Sequence, residues 1–294
     1  MQGKRKIKLV RDPREAFVFK VIDAETGEEL SAEEVKALQP ASTDAAPKGP
    51  LAKGKAKGLA AQPLRVCGEG DSWISFLQIG LLFPKTFFDV LGATFTTRNL
   101  GFPGHTFDEI LAENDFKQAL DSGLYKVFVF SGGGNDFLGG GALVDILKNK
   151  SEGGGSQNPA DYIKQTALAG VLAKLKKGYR RVAKQAKASR PDILMLTQGY
   201  DYAIPRKNGQ WLGKPLKAAG FAHDDPLSPR IIAFLVDQFN DMLGAIDAEF
   251  AHVRHVDVRR TIQTLWHDEL HPTTAGAKKV AKLFEKEIGK LLVS

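Results

Sequence analysis

The amino-acid sequence predicts an α/β fold, a three-layer sandwich around a parallel sheet of about five strands, with a small N-terminal appendage. From residue 63 onward, short apolar runs alternate with segments of helical spacing, an order that implies parallel strands joined by right-handed crossovers. Several of these runs are apolar almost throughout, as expected for strands covered on both faces. The candidate strands are LRVC at 64–67, ATFTTRNL at 93–100, YKVFVFSG at 125–132, DILMLTQG at 192–199 and VRHVDV at 253–258.

The N-terminal part of the chain differs in composition from the rest. Residues 1–39 contain the apolar runs KIKLV and FVFKVI, a turn at DAETGEE and a short helix, SAEEVKAL. Ser31 is the expected cap of that helix, with Glu34 at the capping-box position. Residues 40–62 are rich in Pro, Ala, Gly and Lys and lack aromatic residues, which is typical of a linker. We therefore predict a β-rich appendage at 1–39, a linker at 40–62 and an α/β domain at 63–294.

The clearest helical segment of the domain runs from Ser228 to Phe250. Ser228 is the expected N-cap, and Pro229 follows it at a position where the missing N–H costs nothing. Five apolar residues recur at intervals of three or four and define one face to be buried. These residues are Ile231, Leu235, Phe239, Met242 and Ile246.

The composition of the chain excludes bulk disorder and argues against a nucleic-acid partner. Of its 294 residues, 43% are hydrophobic and 26% are charged, which is ordinary for a globular protein. The net charge is +7, but residues 45–64 contain four lysines and no acid, so much of the excess lies in the linker. No nucleic-acid module and no interleaving of aromatic and basic residues accompany this charge.

A single cysteine, Cys67, excludes an internal disulfide framework and fits a reducing compartment. The basic N-terminus has no uninterrupted apolar segment and no cleavage site of the kind that signal peptides carry. No stretch of the sequence approaches the length of a membrane-spanning helix. We therefore expect a cytoplasmic protein without a membrane span.

Polar and glycine-rich clusters follow each candidate strand, where the ligands of parallel sheets bind. They read GEGDSW, NLGFPGHT, SGGGND and TQGYDY, and HDELHP follows the last strand. Taken alone, Ser72 is better explained as a helix N-cap than as a nucleophile. SGGGND fails as a dinucleotide loop because Phe137 stands where a small residue is needed, and it lacks the Gly-Lys-Ser/Thr of a P-loop. The His271-Pro272 pair predicts a helix boundary.

Together these clusters meet the requirements of acyl transfer. A serine hydroxyl such as that of Ser72 needs a base to take its proton, and the base needs a third group to fix its tautomer. Asp268 and His271, three residues apart, supply both from one loop. The developing oxyanion needs N–H donors, for which the Ser72 amide, the Gly104 amide and the Asn135 side chain are candidates.

Four of the five clusters resemble, in order and spacing, the blocks of the SGNH or GDSL-type hydrolases, over residues 63–294. GDSW resembles the serine block, NLGFPGHT the block with an oxyanion glycine, GGND the asparagine block and DELH the closing Asp-x-x-His block. The resemblance extends to a subgroup with Trp after the serine, a triple glycine before the asparagine and GYDY-IP after the fourth strand.

This resemblance implies a flavodoxin-like fold and a serine mechanism without metal or cofactor. It implies that Ser72 is the nucleophile, that His271 is the base and that Asp268 orients it. Asn135 and the Ser72 amide become oxyanion donors, together with Gly104, which we prefer to Gly101 because a capped helix follows it. Trp73 replaces the leucine of the name-giving motif.

Substrate contacts are expected from the long 200–227 connection, which is either a substrate wall or a loop packed by its own aromatic residues. The candidate substrate-binding residues are Trp73, His105, Tyr200, Tyr202 and Trp211, with Phe221 in the same wall and Arg206 and Lys207 as candidate anion ligands. His105 is equally compatible with an ordinary role at a helix N-terminus. Residues 138–159 are expected to form a flexible cover. His252 and His255 point to opposite faces of a strand, so no metal site is expected.

The sequence thus predicts a serine esterase that removes acetyl or other short acyl groups from a small-molecule or glycan ester. One alternative keeps the chemistry but transfers the acetyl group to a glycan hydroxyl. The other alternative is an interaction protein that its basic N-terminal linker tethers to an anionic surface.

Overall fold

The computed structural model of the protein describes residues 7–11, 19–23, 25–31, 34–35, 64–76, 84–139 and 141–291. All five strands predicted for the domain are present in one parallel sheet flanked by helices, which confirms the fold class. The strands are β1 (Ile7–Arg11), β2 (Phe19–Asp23), β3 (Arg65–Gly70), β4 (Thr96–Asn99), β5 (Val127–Ser131), β6 (Leu194–Gln198) and β7 (Val253–Val256).

The sheet of the domain has the strand order β4-β3-β5-β6-β7, and every neighbouring pair is parallel. The central strand β5, with the sequence VFVFS, is buried at all five positions, which accounts for its nearly continuous apolar character. Because β4 lies on one side of β3 and β5 on the other, the chain reverses direction across the sheet at this point. Ligands of open α/β sheets bind outside the carboxyl ends of the strands at such a switch point.

Helices cover both faces of this sheet. On one face α1 packs against α9, where Phe87 stacks on Phe284 with ring centroids 4.6 Å apart. On the other face α6 packs between α3 and α8. The helices are α1 (Phe87–Leu91), α2 (Phe107–Glu113), α3 (Asp115–Asp121), α4 (Gly134–Phe137), α5 (Ala142–Ile146), α6 (Gln165–Ser189), α7 (Gly213–Ala218), α8 (Leu227–Glu249) and α9 (Thr274–Lys290).

Helix α8 has the predicted buried face but not the predicted cap. It begins at Leu227, so Ser228 lies inside its first turn, and the prediction of Ser228 as N-cap is wrong. Asp225 takes the capping role, since its Oδ1 accepts a hydrogen bond from the Leu227 amide at 2.9 Å. Pro229 still lies in the first turn of the helix, where amides have no partner within the helix, so its missing N–H breaks no hydrogen bond.

The N-terminal appendage contains the antiparallel pair β1 and β2. The capping box is confirmed, because the Ser31 amide donates to Glu34 and the Glu34 amide donates to Ser31 Oγ. Three buried side chains of this region, Val21, Leu30 and Val35, pack together and against Phe102 in the loop after β4. The predicted linker at 40–62 lies outside the described residues, and the division into three parts stays a prediction.

The insertion expected to form a flexible cover is folded where the structure describes it. Residues 138–159 contain α5 and the 3₁₀ turn Lys150–Gly153, and a second 3₁₀ turn, Pro159–Tyr162, begins at their end. Tyr162 is buried and its hydroxyl donates to the carbonyl of Ser156. Within the described part of the chain, no helix is both long and apolar enough to cross a bilayer.

Candidate active site

Ser72 lies in the tight turn that follows β3. The turn is closed by hydrogen bonds from the amides of Ile74 and Ser75 to the Asp71 carbonyl. The side chain that caps it is that of Asp71, whose Oδ1 accepts from the Trp73 amide at 3.0 Å. Ser72 is therefore not the cap, and its Oγ is left for another partner.

The strand before this turn ends in a glycine for a steric reason. Gly70 has a φ of +151°, and a Cβ added there would lie 1.8 Å from the Ser131 carbonyl oxygen of β5. The absence of a side chain lets the ends of β3 and β5 approach closely. This approach brings the loops after the two strands together at the switch point of the sheet.

Asp71 links the serine turn to the loop after β5. Its Oδ2 accepts a hydrogen bond from the Tyr200 hydroxyl at 2.5 Å, and that hydroxyl accepts one from the Gly134 amide at 2.7 Å. Burial raises the pKa of the Asp71 carboxyl, and the hydrogen bonds from Tyr200 and Trp73 offset part of this rise. Three loops of the site are thus joined through one buried carboxyl.

His271 approaches Ser72 from the loop between β7 and α9. Its Nε2 lies 2.9 Å from Ser72 Oγ, and its Nδ1 lies 2.9 and 2.8 Å from the two carboxylate oxygens of Asp268. The chain brings these residues together across 199 positions of sequence. As expected from the His271-Pro272 pair, the helix begins only at Thr274.

The surroundings of Asp268 favour its charged form. Burial alone raises its pKa, but hydrogen bonds from the His271 ring and from the amides of Leu270 and His271 outweigh it and hold the pKa below the usual range. An ionised carboxylate only accepts hydrogen bonds, so the proton of a neutral His271 belongs on Nδ1. Its Nε2 is then able to accept the proton of Ser72 Oγ.

Asn135 comes from the turn after β5 and reaches toward the loop after β4. Its Nδ2 donates to the His105 carbonyl at 2.9 Å, which leaves its second N–H for a ligand. The next residue, Asp136, accepts from the Phe107 amide at 2.9 Å and so fixes the start of α2. Burial raises the pKa of Asp136 to about 6.

The two candidate oxyanion glycines differ in their hydrogen bonds. The Gly101 amide already donates to Asn99 Oδ1 at 3.0 Å. For the Gly104 amide no acceptor is found among the described residues, and Thr106, two positions later, caps the helix that begins at Phe107. The geometry therefore favours Gly104, as expected, although Gly104 does not line the cavity beside Ser72.

A narrow cavity of about 20 Å³ opens beside Ser72 and His271. Of the expected substrate-binding residues it includes Trp73 and Tyr200, whose rings meet edge to face at 5.4 Å. The Trp73 indole also donates to the Leu270 carbonyl at 3.1 Å. It therefore joins the serine turn to the loop between β7 and α9, residues 257–273, which we call the histidine loop. The other lining residues are Asp71, Gly134, Asn135, Leu138, Asp201, Ala203, Trp266 and Leu270.

The other expected substrate-binding residues lie outside this lining. The Tyr202 hydroxyl donates to Asp237 at 2.8 Å, on the side of α8. His105 packs on the ring of Phe102, with centroids 4.6 Å apart. Trp211 meets the His271 ring edge to face at 5.5 Å.

Two further expectations for the 200–227 connection fit a structural role better. Phe221 is buried against Tyr162, away from the cavity lining. The Arg206 guanidinium donates to the carbonyls of His267 and Trp266, so it braces the histidine loop. Lys207 is exposed.

Two buried carboxylates that the sequence analysis did not single out hold the loops of the site. Asp201 accepts from the amides of Arg260 and Ile262 in the loop after β7. Glu269, between Asp268 and His271, accepts from four amides of the 206–213 segment. Both acids stand inside the quoted motifs GYDY and DELH, but their partners are backbone amides, which leave no signal in a sequence.

Neither histidine of the HVRH segment has the surroundings of a metal ligand. His252 Nε2 lies 2.9 Å from the Ala183 carbonyl, and His255 Nε2 lies 3.2 Å from Asn240 Oδ1. Burial lowers the pKa of both rings. Among the residues that the structure describes, no group of three or more His, Cys, Asp or Glu side chains is arranged to hold a metal ion.

Comparison with known proteins places this site in a family. The model of the GDSL-like lipase/acylhydrolase family matches residues 70–279, which include the serine turn and the histidine loop. No protein with a curated description matches the chain.

Solved structures share the fold. The lipase Lip_vut3 from a goat rumen metagenome is 14% identical, with a TM-score of 0.51 over 76% of this chain and 96% of that one. An extracellular lipase from Streptomyces rimosus is 16% identical, with a TM-score of 0.51 over 76% of this chain and 99% of that one. Phospholipase A1 from Streptomyces albidoflavus NA297 is 17% identical, with a TM-score of 0.50 and the same coverage. At these identities the likeness shows the fold alone.

Proposed function

We propose, from the premise that this chain belongs to the GDSL-like lipase/acylhydrolase family and is a carboxylic ester hydrolase, that it cleaves short-chain esters with Ser72 as nucleophile. The observation that carries the proposal is the continuous hydrogen-bonded chain from Ser72 Oγ through the His271 ring to the Asp268 carboxylate. Nucleophile, base and orienting group stand within hydrogen-bond reach of one another, as acyl transfer through a serine requires.

In the first half of the reaction, Ser72 Oγ attacks the ester carbonyl while His271 Nε2 takes its proton. Asp268 stabilises the imidazolium that forms and keeps the ring oriented. The negative charge on the carbonyl oxygen is met by N–H donors, for which we propose the Ser72 amide, the Gly104 amide and the free N–H of Asn135. Collapse of the tetrahedral intermediate transfers the His271 proton to the leaving alcohol and leaves an acyl group on Ser72.

In the second half, His271 removes a proton from water, and the resulting hydroxide attacks the acyl group on Ser72. The same donors hold the second oxyanion. The proton then returns from His271 to Ser72 Oγ, which releases the carboxylic acid and restores the enzyme. None of these steps requires a metal or cofactor.

The cavity beside Ser72 supports a short acyl group. Its volume of about 20 Å³ leaves room for little more than one water molecule, which suits the methyl group of an acetyl ester. The large side chains of Trp73, Tyr200 and Trp266 line it, and their mutual edge-to-face packing resists enlargement. We therefore propose acetyl esters of small molecules or glycans as the substrate class.

The test is a hydrolysis profile over activated esters of increasing acyl length and over acetylated sugars, with Ser72→Ala as the blank. We expect the highest kcat/KM for acetate and a steep fall with longer chains. Ser131→Ala is a matched control, because Ser131 lies at the same sheet edge and its buried Oγ has no hydrogen-bond partner among the described residues. A folded Ser72→Ala protein that retains turnover would refute the mechanism, and a preference for long chains would refute the substrate class.

A further inference from the structure

Glu269 is a buried carboxylate that the reaction as proposed does not use. Its side chain lies in the histidine loop and the residue is only 1% exposed. Oε1 accepts from the amides of Arg206 and Gly213 at 2.8 and 2.9 Å. Oε2 accepts from the amides of Trp211 and Leu212 at 3.0 and 3.2 Å. Each oxygen therefore holds two backbone donors of the 206–213 segment.

The same two segments are also joined by the side chain of Arg206. The Arg206 guanidinium donates through Nη1 to the His267 carbonyl at 3.0 Å and through Nη2 to the Trp266 carbonyl at 3.2 Å. Donors of the 206–213 segment thus bind both a side chain and two carbonyls of the histidine loop. We call this set of six hydrogen bonds the Glu269 clamp.

The 206–213 segment is shaped to fit closely around the carboxylate. A Cβ added at Gly209 would lie 1.8 Å from the carboxyl carbon of Glu269. Burying a carboxylate is costly unless hydrogen bonds replace its water, and four amide donors at 2.8–3.2 Å do so here. A segment that wraps a charge in this way cannot move away without exposing four donors and one carboxylate at once.

The clamp acts on the catalytic base through Trp211. The Trp211 amide is one of the four donors, and the Trp211 ring meets the His271 ring at 5.5 Å and 89°. Along the histidine loop itself, Glu269 is separated from His271 by only one residue. One aromatic neighbour of the imidazole, Trp211, and the loop that carries the imidazole are therefore fixed to the same carboxylate; a second aromatic neighbour, Phe76, directly follows the serine turn.

We propose that Glu269 is a positioning residue that locks the 206–213 segment to the histidine loop and so holds His271 in line with Ser72. The inference rests on the proposed function of Ser72 and His271. Glu269 itself touches neither the reacting serine nor the cavity beside it. Its effect is therefore on the orientation of the base, and it should be seen in kcat rather than in KM.

The first test is Glu269→Gln, which keeps the size of the side chain but replaces one acceptor oxygen by an N–H₂ donor. One pair of backbone amides then faces a donor, so two of the six hydrogen bonds of the clamp are lost. We expect kcat for an acetate ester to fall about 10- to 100-fold while KM stays within about threefold. Glu249→Gln is the matched control, because Glu249 pairs with Arg180 on the surface and should leave both constants unchanged.

A second variant breaks the clamp from the other side and guards against a folding defect. Gly209→Ala leaves the sequence of the histidine loop unchanged but places a methyl group where the Glu269 carboxylate lies, and we expect the same loss in kcat with the same constant KM. If both variants fold and keep kcat within twofold of the wild type, Glu269 does not position the base. If KM rises instead and kcat is unchanged, the segment binds substrate and the inference is also wrong.

Amide hydrogen exchange of the wild-type protein tests whether the clamp forms, independently of any activity assay. The amides of Arg206, Trp211, Leu212 and Gly213 should exchange far more slowly than those of the exposed residues Lys207 and Asn208 in the same segment. Equal exchange rates would show that the clamp does not form. A protected clamp in a protein that lacks serine-dependent turnover would instead mean that the proposed function fails.

Discussion

The buried carboxyl of Asp136 makes the stability of the protein depend on pH in a direction that the structure fixes. Burial raises its pKa from 3.8 to about 6, although the Phe107 amide and the charge of Lys174 act against this rise. The folded state therefore holds the proton more tightly than the unfolded state does. The contribution of this group is fully present below about pH 4, declines as the pH rises toward 6, and is lost above that.

The magnitude follows from the difference in pKa. At about 1.4 kcal/mol per pH unit, the change from 3.8 to about 6 corresponds to about 3 kcal/mol of unfolding free energy. Asp136→Asn removes the ionisation but keeps an oxygen that can accept from the Phe107 amide. Relative to the wild type, this variant should gain about 3 kcal/mol between pH 4 and pH 7.5.

Urea unfolding of both proteins at pH 4, 5, 6 and 7.5 measures this gain. Any change in packing or hydrogen bonding that the substitution causes is present at every pH, so the pH 4 difference serves as the internal baseline. The difference in unfolding free energy should rise across pH 4–6 and then level off. A difference that stays constant over the whole range, or that falls as the pH rises, would refute the reasoning.

Three further predictions concern the site and the core. Asn135→Ala should lower kcat for an acetate ester about 10²- to 10³-fold with a smaller change in KM, because it removes an oxyanion donor; steady-state kinetics within twofold of the wild type would contradict that role. Tyr200→Phe should cost about 2–4 kcal/mol in urea unfolding, since the Gly134 amide and Oδ2 of the buried Asp71 carboxyl both lose the Tyr200 hydroxyl as partner; a loss below 1 kcal/mol would argue against the network. Burial raises the pKa of the Cys67 thiol well above its ordinary value, so the native protein should resist iodoacetamide at pH 8 and react only when unfolded; rapid labelling of the folded protein would contradict this.

The fold was predictable because its signals are local. The five strands of the sheet are short apolar runs bounded by glycine or polar residues, and each was found where its pattern lies. The limits of the elements were less predictable, since they depend on contacts between segments. Strand β4 begins only at Thr96 because the Phe95 amide still donates to the Leu91 carbonyl at the end of α1. The cap of α8 differs from the prediction because the helix begins one residue earlier, at Leu227, and the Leu227 amide donates to Asp225.

In the candidate site, too, only the residues that carry a local motif were predictable. The serine, the asparagine and the Asp-x-x-His pair each carry a local motif. Ser72 follows β3, whereas β7 is an edge strand with β5 and β6 between it and β3, so the long loop after β7 is what brings His271 to Ser72 across 199 residues. The carboxylates that hold the loops had no such signal. Glu269 and Asp201 bind backbone amides, which every residue except proline possesses, so their partners depend on the path of the loops.

The central claim is that Ser72 forms a covalent acyl intermediate with the help of His271. Its most direct test is intact-protein mass spectrometry after treatment with a fluorophosphonate, followed by mapping of the modified peptide. The account predicts one adduct per chain, on Ser72, that is absent from Ser72→Ala and strongly slowed in His271→Ala. An adduct on another residue, or equal labelling of a folded Ser72→Ala protein, would contradict it.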